Sequence, residues 1–344
     1  MKQQAFGLDL GATKMKAVYL QKQKNGYSFR SAIMGPTPIK GMSSDSPLDQ
    51  EEMGQAIKKL LSDAKIDSKE VNIAFPENQI YTKVIEMPYL NDHELDQAIY
   101  YEAEQYIPVP LSGITLAHAI LKKPEKKEEG SKVEILLIGA PTVLIERHKK
   151  ILGLAGLTIA SIETEILSSI RALIPSSNIP PTLIVNIGAV STTIAIVRTG
   201  IIVFSYSTPT GGSAISRAIA SDYGFSLAQA EEYKKAYGIT NQSVGNKLGK
   251  TTEPIIQSIL SEIKKAVAFY AEKFKGDDVI RQILLTGGTA KLPGIEAYFA
   301  QNTDIETAIA NPWKNVVAQN IPKELQDNAV DYTIAIGLAM RTNG

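Results

Sequence analysis

The sequence predicts an α/β fold in which two related α/β domains surround a cleft and a smaller block is inserted into the first domain. The first observation is a repeat, because residues 6–20 (FGLDLGATKMKAVYL) and 183–197 (LIVNIGAVSTTIAIV) each predict a strand, a Gly-Ala turn and a second strand. The second is the alternation of strands and amphipathic helices after each copy. The third is a change in the sequence pattern over residues 80–160, which indicates an insertion.

The composition excludes several classes of function. The 344 residues suffice for about two domains. Basic and acidic residues number 36 each, so no net charge favours binding to nucleic acid or to anionic lipid. The absence of cysteine excludes disulfides, Cys-ligated metals and thiol nucleophiles, and the three histidines are too scattered to predict a metal site.

No segment predicts export or insertion into a membrane. Asp9 and several lysines interrupt the apolar core that a signal peptide would need at the N terminus. Residues 182–204 are strongly apolar, but Asn186, Arg198 and many β-branched residues favour buried strands over a membrane span. We therefore expect a protein of the cytoplasm.

The elements of the first half follow from periodicity and capping. An apolar helical stripe covers residues 49–64, a buried strand covers 71–75, and residues 80–89 are predicted to be extended. Asn91 with Glu94 three residues later predicts the start of a helix that ends before two prolines. A charged turn at 122–132 separates two strands, and a helix follows at 142–155. The predicted division is a first domain of residues 1–79, 161–180 and 330–344, with an inserted α+β block of residues 80–160.

The second half is predicted to be richer in helices. Gly211 and Gly212 open one helix, a second follows, and Thr252-Glu253-Pro254 is predicted to cap a long third helix that ends at Gly276. Residues 277–299 predict a strand, a Gly-Gly turn and a helix. Residues 181–329 form the predicted second domain, which includes a helical subdomain at 225–279.

The two Gly-Ala turns and the Gly-Gly turn carry the chemistry. A tight turn between strands presents backbone N–H groups and hydroxyls to a phosphate, and small residues permit a close approach. A carboxylate such as Asp9 at the end of a strand can hold Mg²⁺ through water. Residues 245–251 (GNKLGKT) resemble a P-loop, but they have too few residues between the glycines and are predicted to form a surface loop.

The order of these three turns is similar to that of the actin-like ATPase superfamily over nearly the whole chain. Within it the sequence resembles the PilM family of type IV pilus assembly. Four stretches carry the resemblance: residues 9–20 (DLGATKMKAVYL), 87–111 (MPYLNDHELDQAIYYEAEQYIPVPL), 209–238 (PTGGSAISRAIASDYGFSLAQAEEYKKAYG) and 284–295 (LLTGGTAKLPGI). The resemblance implies an actin-like fold whose inserted block is of the type shared by FtsA and PilM.

The resemblance also implies a site for ATP or ADP with Mg²⁺. The first phosphate loop would comprise Asp9, Gly11, Ala12, Thr13, Lys14 and Lys16, and the second would comprise Asn186, Gly188, Ala189, Ser191 and Thr192. Gly212 lies in the third matching stretch. Gly287, Gly288 and Thr289 would lie against the adenosine. Glu231 and Lys234 would bind the ribose and the base. Glu165 would lie near the attacking water and, with Asp9, is the candidate catalytic residue. A solvated i,i+3 ion pair is the alternative for Glu231 and Lys234.

One residue departs from the superfamily pattern. The second loop usually carries aspartate, and this chain has Asn186. Asparagine keeps a hydrogen-bonding oxygen but lacks the charge that helps to hold Mg²⁺ and to orient water. We therefore expect ATP to be bound but hydrolysed slowly or not at all.

The resemblance implies a scaffold that binds the cytoplasmic tail of a PilN-like bitopic membrane protein at the inner face of the membrane, together with other pilus-platform and motor proteins; self-assembly is left open. Candidate tail contacts are Tyr101, Tyr106, Ile107 and Pro108, and a core role is the alternative for these residues.

A sugar kinase of the ROK type is a second candidate function, but it would need a Cys-rich zinc motif. An FtsA-like division protein is a third, but it would need a C-terminal membrane-binding helix, which we do not expect after residue 341.

Overall fold

The computed structural model describes residues 4–24, 26–125, 128, 130–176, 178–239, 247–276, 278–317 and 321–341. Three sheets organise this part of the chain, two with five strands and one with three. Both five-stranded sheets have the same order of strands, with a hairpin and a third strand on one side and two parallel crossover strands on the other. The repeat predicted from the sequence therefore extends to the topology of the two sheets.

The first sheet is formed by β1 (Phe6–Leu10), β2 (Lys14–Gln23), β3 (Gly26–Pro36), β4 (Glu70–Phe75) and β8 (Thr158–Thr164), in the order β3-β2-β1-β4-β8. Helices α1 (Pro47–Asp63) and α3 (Thr142–Leu154) contribute to one core cluster on this sheet. Helix α10 (Thr333–Ala339) packs against β1 and against α4 (Glu165–Leu173). His148 of α3 lies in this core, stacked edge-on against Phe75, and burial lowers its pKa to about 4.

The second sheet is formed by β9 (Thr182–Ile187), β10 (Thr192–Arg198), β11 (Ile201–Thr208), β12 (Gln282–Thr286) and β13 (Glu306–Ile309), in the order β11-β10-β9-β12-β13. Its helices are α5 (Gly212–Tyr223), α6 (Leu227–Tyr237), α7 (Lys247–Lys273) and α8 (Ile295–Thr303); a short α9 (Lys323–Asp327) follows. The apolar residues 182–204 are strands of this sheet, as predicted. Among the described residues, no helix is long and apolar enough to span a membrane.

The third sheet belongs to the predicted insertion. It is formed by β5 (Tyr81–Pro88), β6 (Ile114–Lys122) and β7 (Lys132–Pro141), with β7 in the centre. Helix α2 (Asp92–Tyr106) begins with the predicted capping box of Asn91 and Glu94 and packs on one face. The other face contacts α4 and the second sheet through a shared apolar cluster. The domain boundaries given above remain a prediction.

The predicted start of the long helix is wrong. Helix α7 already includes Lys247, and Pro254 lies inside it. The fully buried Leu248 packs into the core of the second sheet, so this core extends the helix beyond the proline. The hydroxyl of Thr252 donates to the carbonyls of Leu248 and Gly249. Of the P-loop-like stretch, residues 247–251 are therefore helical rather than a loop, and residues 245 and 246 lie outside the described residues.

Candidate functional site

A large cavity lies between the two five-stranded sheets. It has a volume of about 1240 Å³ and is lined by both Gly-Ala turns, by the Gly-Gly turn and by helices from both sides. The turns meet there because each follows the C-terminal end of a central strand, which is β1 in the first sheet and β9 or its parallel neighbour β12 in the second. We refer to this cavity as the cleft.

The first turn contributes a buried ion pair to the cleft. The carboxylate of Asp9 lies at the end of β1 and accepts a hydrogen bond of 2.8 Å from the ammonium of Lys16 on β2. Burial lowers the pKa of Lys16, but the carboxyl groups around it, Asp9 first and then Asp331 and Glu165, hold the pKa above its usual value. The hydroxyl of Thr37, just after β3, donates to the carbonyl of Gly11 and fixes the turn. The turn is thus tied to the end of β3 by a hydrogen bond, and the ammonium beside Asp9 favours its charged state.

Glu165 lies in the cleft as the first residue of α4. Burial and the carboxylates of Asp9 and Glu77 raise its pKa well above the usual value, against the influence of Lys16. The preceding residue, Thr164, caps the helix through its hydroxyl, which accepts from the amide of Leu167. Glu165 is thus a carboxyl that favours the protonated state at the start of a short, well-capped helix.

The second turn is joined to the start of α5. The amides of Gly212 and Ser213 donate to the carbonyls of Gly188 and Ala189, at 2.9 and 2.8 Å. A Cβ atom on Gly212 would overlap the hydroxyl of Thr289, so only glycine allows this close approach of turn, helix and Gly-Gly turn. The first two amides of α5 are therefore already satisfied by the turn.

Lys234 and Glu231 of α6 form a network rather than a solvated ion pair. The Lys234 side chain is only 8% exposed, and its ammonium donates to Glu231 (2.6 Å), to the hydroxyl of Ser216 (3.0 Å) and to the carbonyl of Gly212 (3.1 Å). Burial raises the pKa of Glu231, but hydrogen bonds from Lys234 and Ser216 hold it below the usual value. The network joins α6 to the start of α5 at the wall of the cleft.

The residues singled out from the sequence converge. Those that line the cleft are Asp9, Gly11, Ala12, Thr13, Lys14, Lys16, Glu165, Asn186, Gly188, Ala189, Ser191, Gly212, Glu231, Lys234, Gly287, Gly288 and Thr289. Thr192 lies elsewhere, since it is fully buried and donates to the carbonyl of Thr210. Its neighbour Thr193 lines the cleft instead. The roles of these residues remain predictions.

The comparison with known families identifies the chain. The family model described as type IV pilus assembly protein PilM matches residues 7–343. The chain belongs to the PilM family. Its fold is the actin-like fold, with two related α/β domains around a cleft, as predicted.

Solved structures share this fold, and a curated relative matches part of the chain. A structure described as a PilM-PilN type IV pilus biogenesis complex is 23% identical, covers 99% of this chain and 98% of that chain, and superposes with a TM-score of 0.87. MreB5 of Spiroplasma citri bound to ADP is 16% identical over 98% of this chain and 95% of its own, with a TM-score of 0.54. Ethanolamine utilization protein EutJ of Salmonella typhimurium is 30% identical over 118 residues, which are 34% of this chain and 37% of that relative. The match thus spans about a third of the length of the curated relative.

The four candidate tail contacts of this PilM-family chain differ in exposure. Tyr101 is 70% and Tyr106 42% exposed, and Pro108 is exposed, but Ile107 is only 4% exposed and packs in the core between α2 and the third sheet. Side chains five residues apart on a helix differ in direction by about 140°, so Tyr101 and Tyr106 project from different sides of α2. The structure does not bring the four residues onto one surface.

Tyr106 and Ile107 border a second cavity, of about 300 Å³. Its other walls come from the segment before β5, from β5 itself and from β11, including Tyr81, Lys83 and Tyr206. The ammonium of Lys83 lies 5.7 Å from the centre of the Tyr106 ring. We refer to this as the tyrosine cavity. It lies where the insertion meets the second sheet, so the sequence, which places β5 and β11 more than a hundred residues apart, gave no signal of it.

The cleft and its surroundings also contain residues that were not predicted from the sequence. Lys291 forms an ion pair with Asp331, which is largely buried just before α10, and also donates to Asn328. Glu77, which lines the tyrosine cavity and lies close to Glu165, was not predicted either and is described below. The polar residue directly after Pro76, where the buried strand β4 ends, was a usable signal for Glu77. No local pattern distinguished Lys291 from the other surface lysines.

Proposed function

We propose that this PilM-family chain is a cytoplasmic, ATP-binding scaffold of the type IV pilus or a related secretion machinery, which binds the N-terminal tail of a PilN-like membrane protein. The observation that carries the nucleotide part is the convergence of three small-residue turns and buried lysines on one cleft. The two related structures, a PilM-PilN complex and MreB5 bound to ADP, support the two binding partners. The tail would hold the protein at the inner face of the membrane.

The residues of the cleft fit a nucleotide with Mg²⁺. Lys16 and the amides of both Gly-Ala turns would hold the phosphates, and the Gly-Gly turn with Lys234 and Glu231 would hold the nucleoside. Among the described residues, no group of three acidic or histidine side chains could hold a metal by itself. Mg²⁺ would therefore be held by the phosphates, by water and by Asp9, as is usual for nucleotide-bound magnesium.

ATP turnover is expected to be slow because of Asn186. Its side chain is nearly buried beside Gly287 and supplies no negative charge. We expect steady-state turnover well below ~1 per second, the lower end for kinases. Asn186→Asp is expected to raise it, whereas Asn186→Ala, which also adds no charge, is expected to leave it low. Turnover near ~1 per second in the natural chain, measured as phosphate release, would contradict this assignment.

The tyrosine cavity is the proposed site for the tail. It is bordered by Tyr106 and Ile107, two of the four candidate contacts, and by the tyrosines of β5 and β11. Half-exposed tyrosines around a cavity offer a large rigid contact area at a low cost in side-chain entropy, as in interface hot spots. Ile107 would act by shaping the wall, since its side chain is buried.

Tyr106→Ala is expected to weaken tail binding by about 30-fold, or ~2 kcal/mol, because a central aromatic contact is lost. The measurement is a titration of the full chain with the tail peptide of the PilN-like protein encoded beside it, with and without Mg·ATP. The natural chain is expected to bind in the micromolar range, about −8 kcal/mol. Tyr237→Ala, which truncates a 39% exposed tyrosine on α6, is the control and is expected to leave the affinity unchanged.

Two outcomes would count against the tail site. Equal affinity of Tyr106→Ala and the natural chain would place the tail elsewhere. No binding by the natural chain, with or without nucleotide, would contradict the tail-binding function itself. Contacts with other pilus-platform and motor proteins and self-assembly are further proposals, and the same titration format would test each of them.

A further inference from the structure

Glu77 is a buried carboxyl that the proposed function does not use. It lies in a short helical turn, Glu77–Gln79, between the end of β4 and the start of β5. The residue is 7% exposed, and its Oε1 accepts a hydrogen bond of 2.8 Å from the amide of Ile166 in the first turn of α4. Its Oε2 is buried without a hydrogen-bond partner in the described part of the chain. The carboxyl is therefore held at one oxygen and unsatisfied at the other.

Glu77 stands where three sheets meet. Its turn follows a strand of the first sheet, leads into the third sheet, and packs against β11 of the second. Glu77 and Asn78 line the tyrosine cavity, and Asn78 also lines the cleft together with Glu165 and Thr193. The Glu77 turn thus forms the wall between the two cavities.

The surroundings of Glu77 favour the protonated carboxyl. Burial raises its pKa to about 7, although the amide of Ile166 and the nearby hydroxyls of Thr164 and Thr193 act in the opposite direction. The charged and titratable groups around it are Glu165 on α4 and, across the tyrosine cavity, Tyr81, Lys83, Tyr106 and Tyr206. The pKa of Glu165 is also raised, and its side chain lines the cleft. Ionisation of Glu77 would therefore place a negative charge close to Glu165, near the proposed phosphate site.

We propose that Glu77 is a proton-binding positioning residue, which fixes the start of α4 in the cleft and weakens the binding of an anionic nucleotide when it ionises. The second half rests on the proposed nucleotide function. In the protonated state, Glu77 holds the amide of Ile166 without adding a charge. In the ionised state it disfavours ionisation of Glu165 and repels a bound phosphate, and linkage requires that nucleotide binding in turn favours proton uptake by Glu77.

The test compares the full natural chain with Glu77→Gln, which keeps an acceptor for the Ile166 amide but cannot ionise. Glu52→Gln, at an exposed position of α1, is the control. The first readout is the dissociation constant of a fluorescent ATP analogue with Mg²⁺ at pH 6 and pH 8. From pH 6 to pH 8, the dissociation constant is expected to rise in the natural chain and in the control by a factor at least about five times larger than in Glu77→Gln. Titration of the nucleotide is common to all three proteins and cancels in the comparison.

The second readout is the melting temperature without nucleotide from pH 5 to pH 8. The pKa of Glu77 is about 7 in the folded protein and 4.5 in the unfolded chain. The stability that the bound proton contributes is therefore fully present below pH 4.5 and is lost as the pH rises through about 7. The natural chain is therefore expected to lose stability relative to Glu77→Gln as the pH rises. Identical pH dependence of the two proteins would overturn the proton-binding half of the proposal.

The outcomes separate this inference from the proposed function. If the natural chain binds no nucleotide at either pH, the nucleotide half falls with the proposed function, while the melting series still decides the proton half. If it binds nucleotide with the same pH dependence as Glu77→Gln, the nucleotide half alone is overturned. If Glu77→Gln does not fold, the proton half is tested in Glu165→Gln, which removes the neighbouring Glu165 carboxyl. The infrared absorption of protonated carboxyl groups is then followed as a function of pH. A step near pH 7 supports it, and its absence overturns it.

Discussion

Gly337→Ala is expected to destabilise the fold by about 3 kcal/mol or to prevent folding. Gly337 lies in α10 where this helix crosses α4, and a Cβ atom there would overlap the carbonyl oxygen of Ser168 and lie 2.6 Å from its Oγ. The contact is with backbone, which cannot rotate away as a side chain could. The hydroxyl of Ser168 also donates to the carbonyl of Ile334, so the two helices cannot separate without losing a buried hydrogen bond.

Gly153→Ala is the matched control for this prediction. Gly153 also lies in a helix, α3, but apart from its chain neighbours and the backbone of its own helix no atom lies within 4 Å of its Cβ position. Alanine there is expected to stabilise the helix by about 0.5–1 kcal/mol through its higher helix propensity. Urea unfolding of both variants measures the difference. A Gly337→Ala protein as stable as the natural chain would show that the crossing of α4 and α10 can widen at little cost.

Lys16→Met is expected to weaken ATP binding by about 100-fold, or ~2.7 kcal/mol. The substitution would remove a charge-assisted hydrogen bond to a phosphate, which contributes about 1.5–3 kcal/mol. It would also remove the ammonium that now pairs with the buried Asp9 carboxylate at 2.8 Å, beside the proposed phosphate site. Methionine keeps most of the volume of the lysine side chain, so packing is largely preserved.

Lys14→Met is the control for the nucleotide prediction. Lys14 lies on the same strand and lines the cleft, but its side chain is exposed and solvent screens its charge. We expect it to cost less than about tenfold in affinity. Calorimetric titration with Mg·ATP, together with melting curves to verify folding, compares the two variants. Equal small losses at both positions would argue against Lys16 as the phosphate-binding residue of the cleft.

Local patterns in the sequence were sufficient for much of the fold. The two copies of strand, Gly-Ala turn and strand predicted both hairpins, because a period of two and small turn residues are properties of a few neighbouring positions. Asn91 and Glu94 predicted the start of α2 for the same reason, since a capping box spans only four residues. The start of α7 was missed because the core contact of Leu248 outweighs the local preference for proline in the first turn of a helix.

The sequence by itself determined which residue types the cleft contains, namely the glycines of three turns, Asp9, Lys16 and an asparagine in the second turn. Only the tertiary structure decided their environments. It buried Lys234 against the start of α5, buried Ile107 beneath the exposed Tyr106, and placed Glu77 behind Glu165 between two cavities. Burial, unpaired polar atoms and shifted pKa values depend on neighbours from distant parts of the chain, which no local pattern specifies.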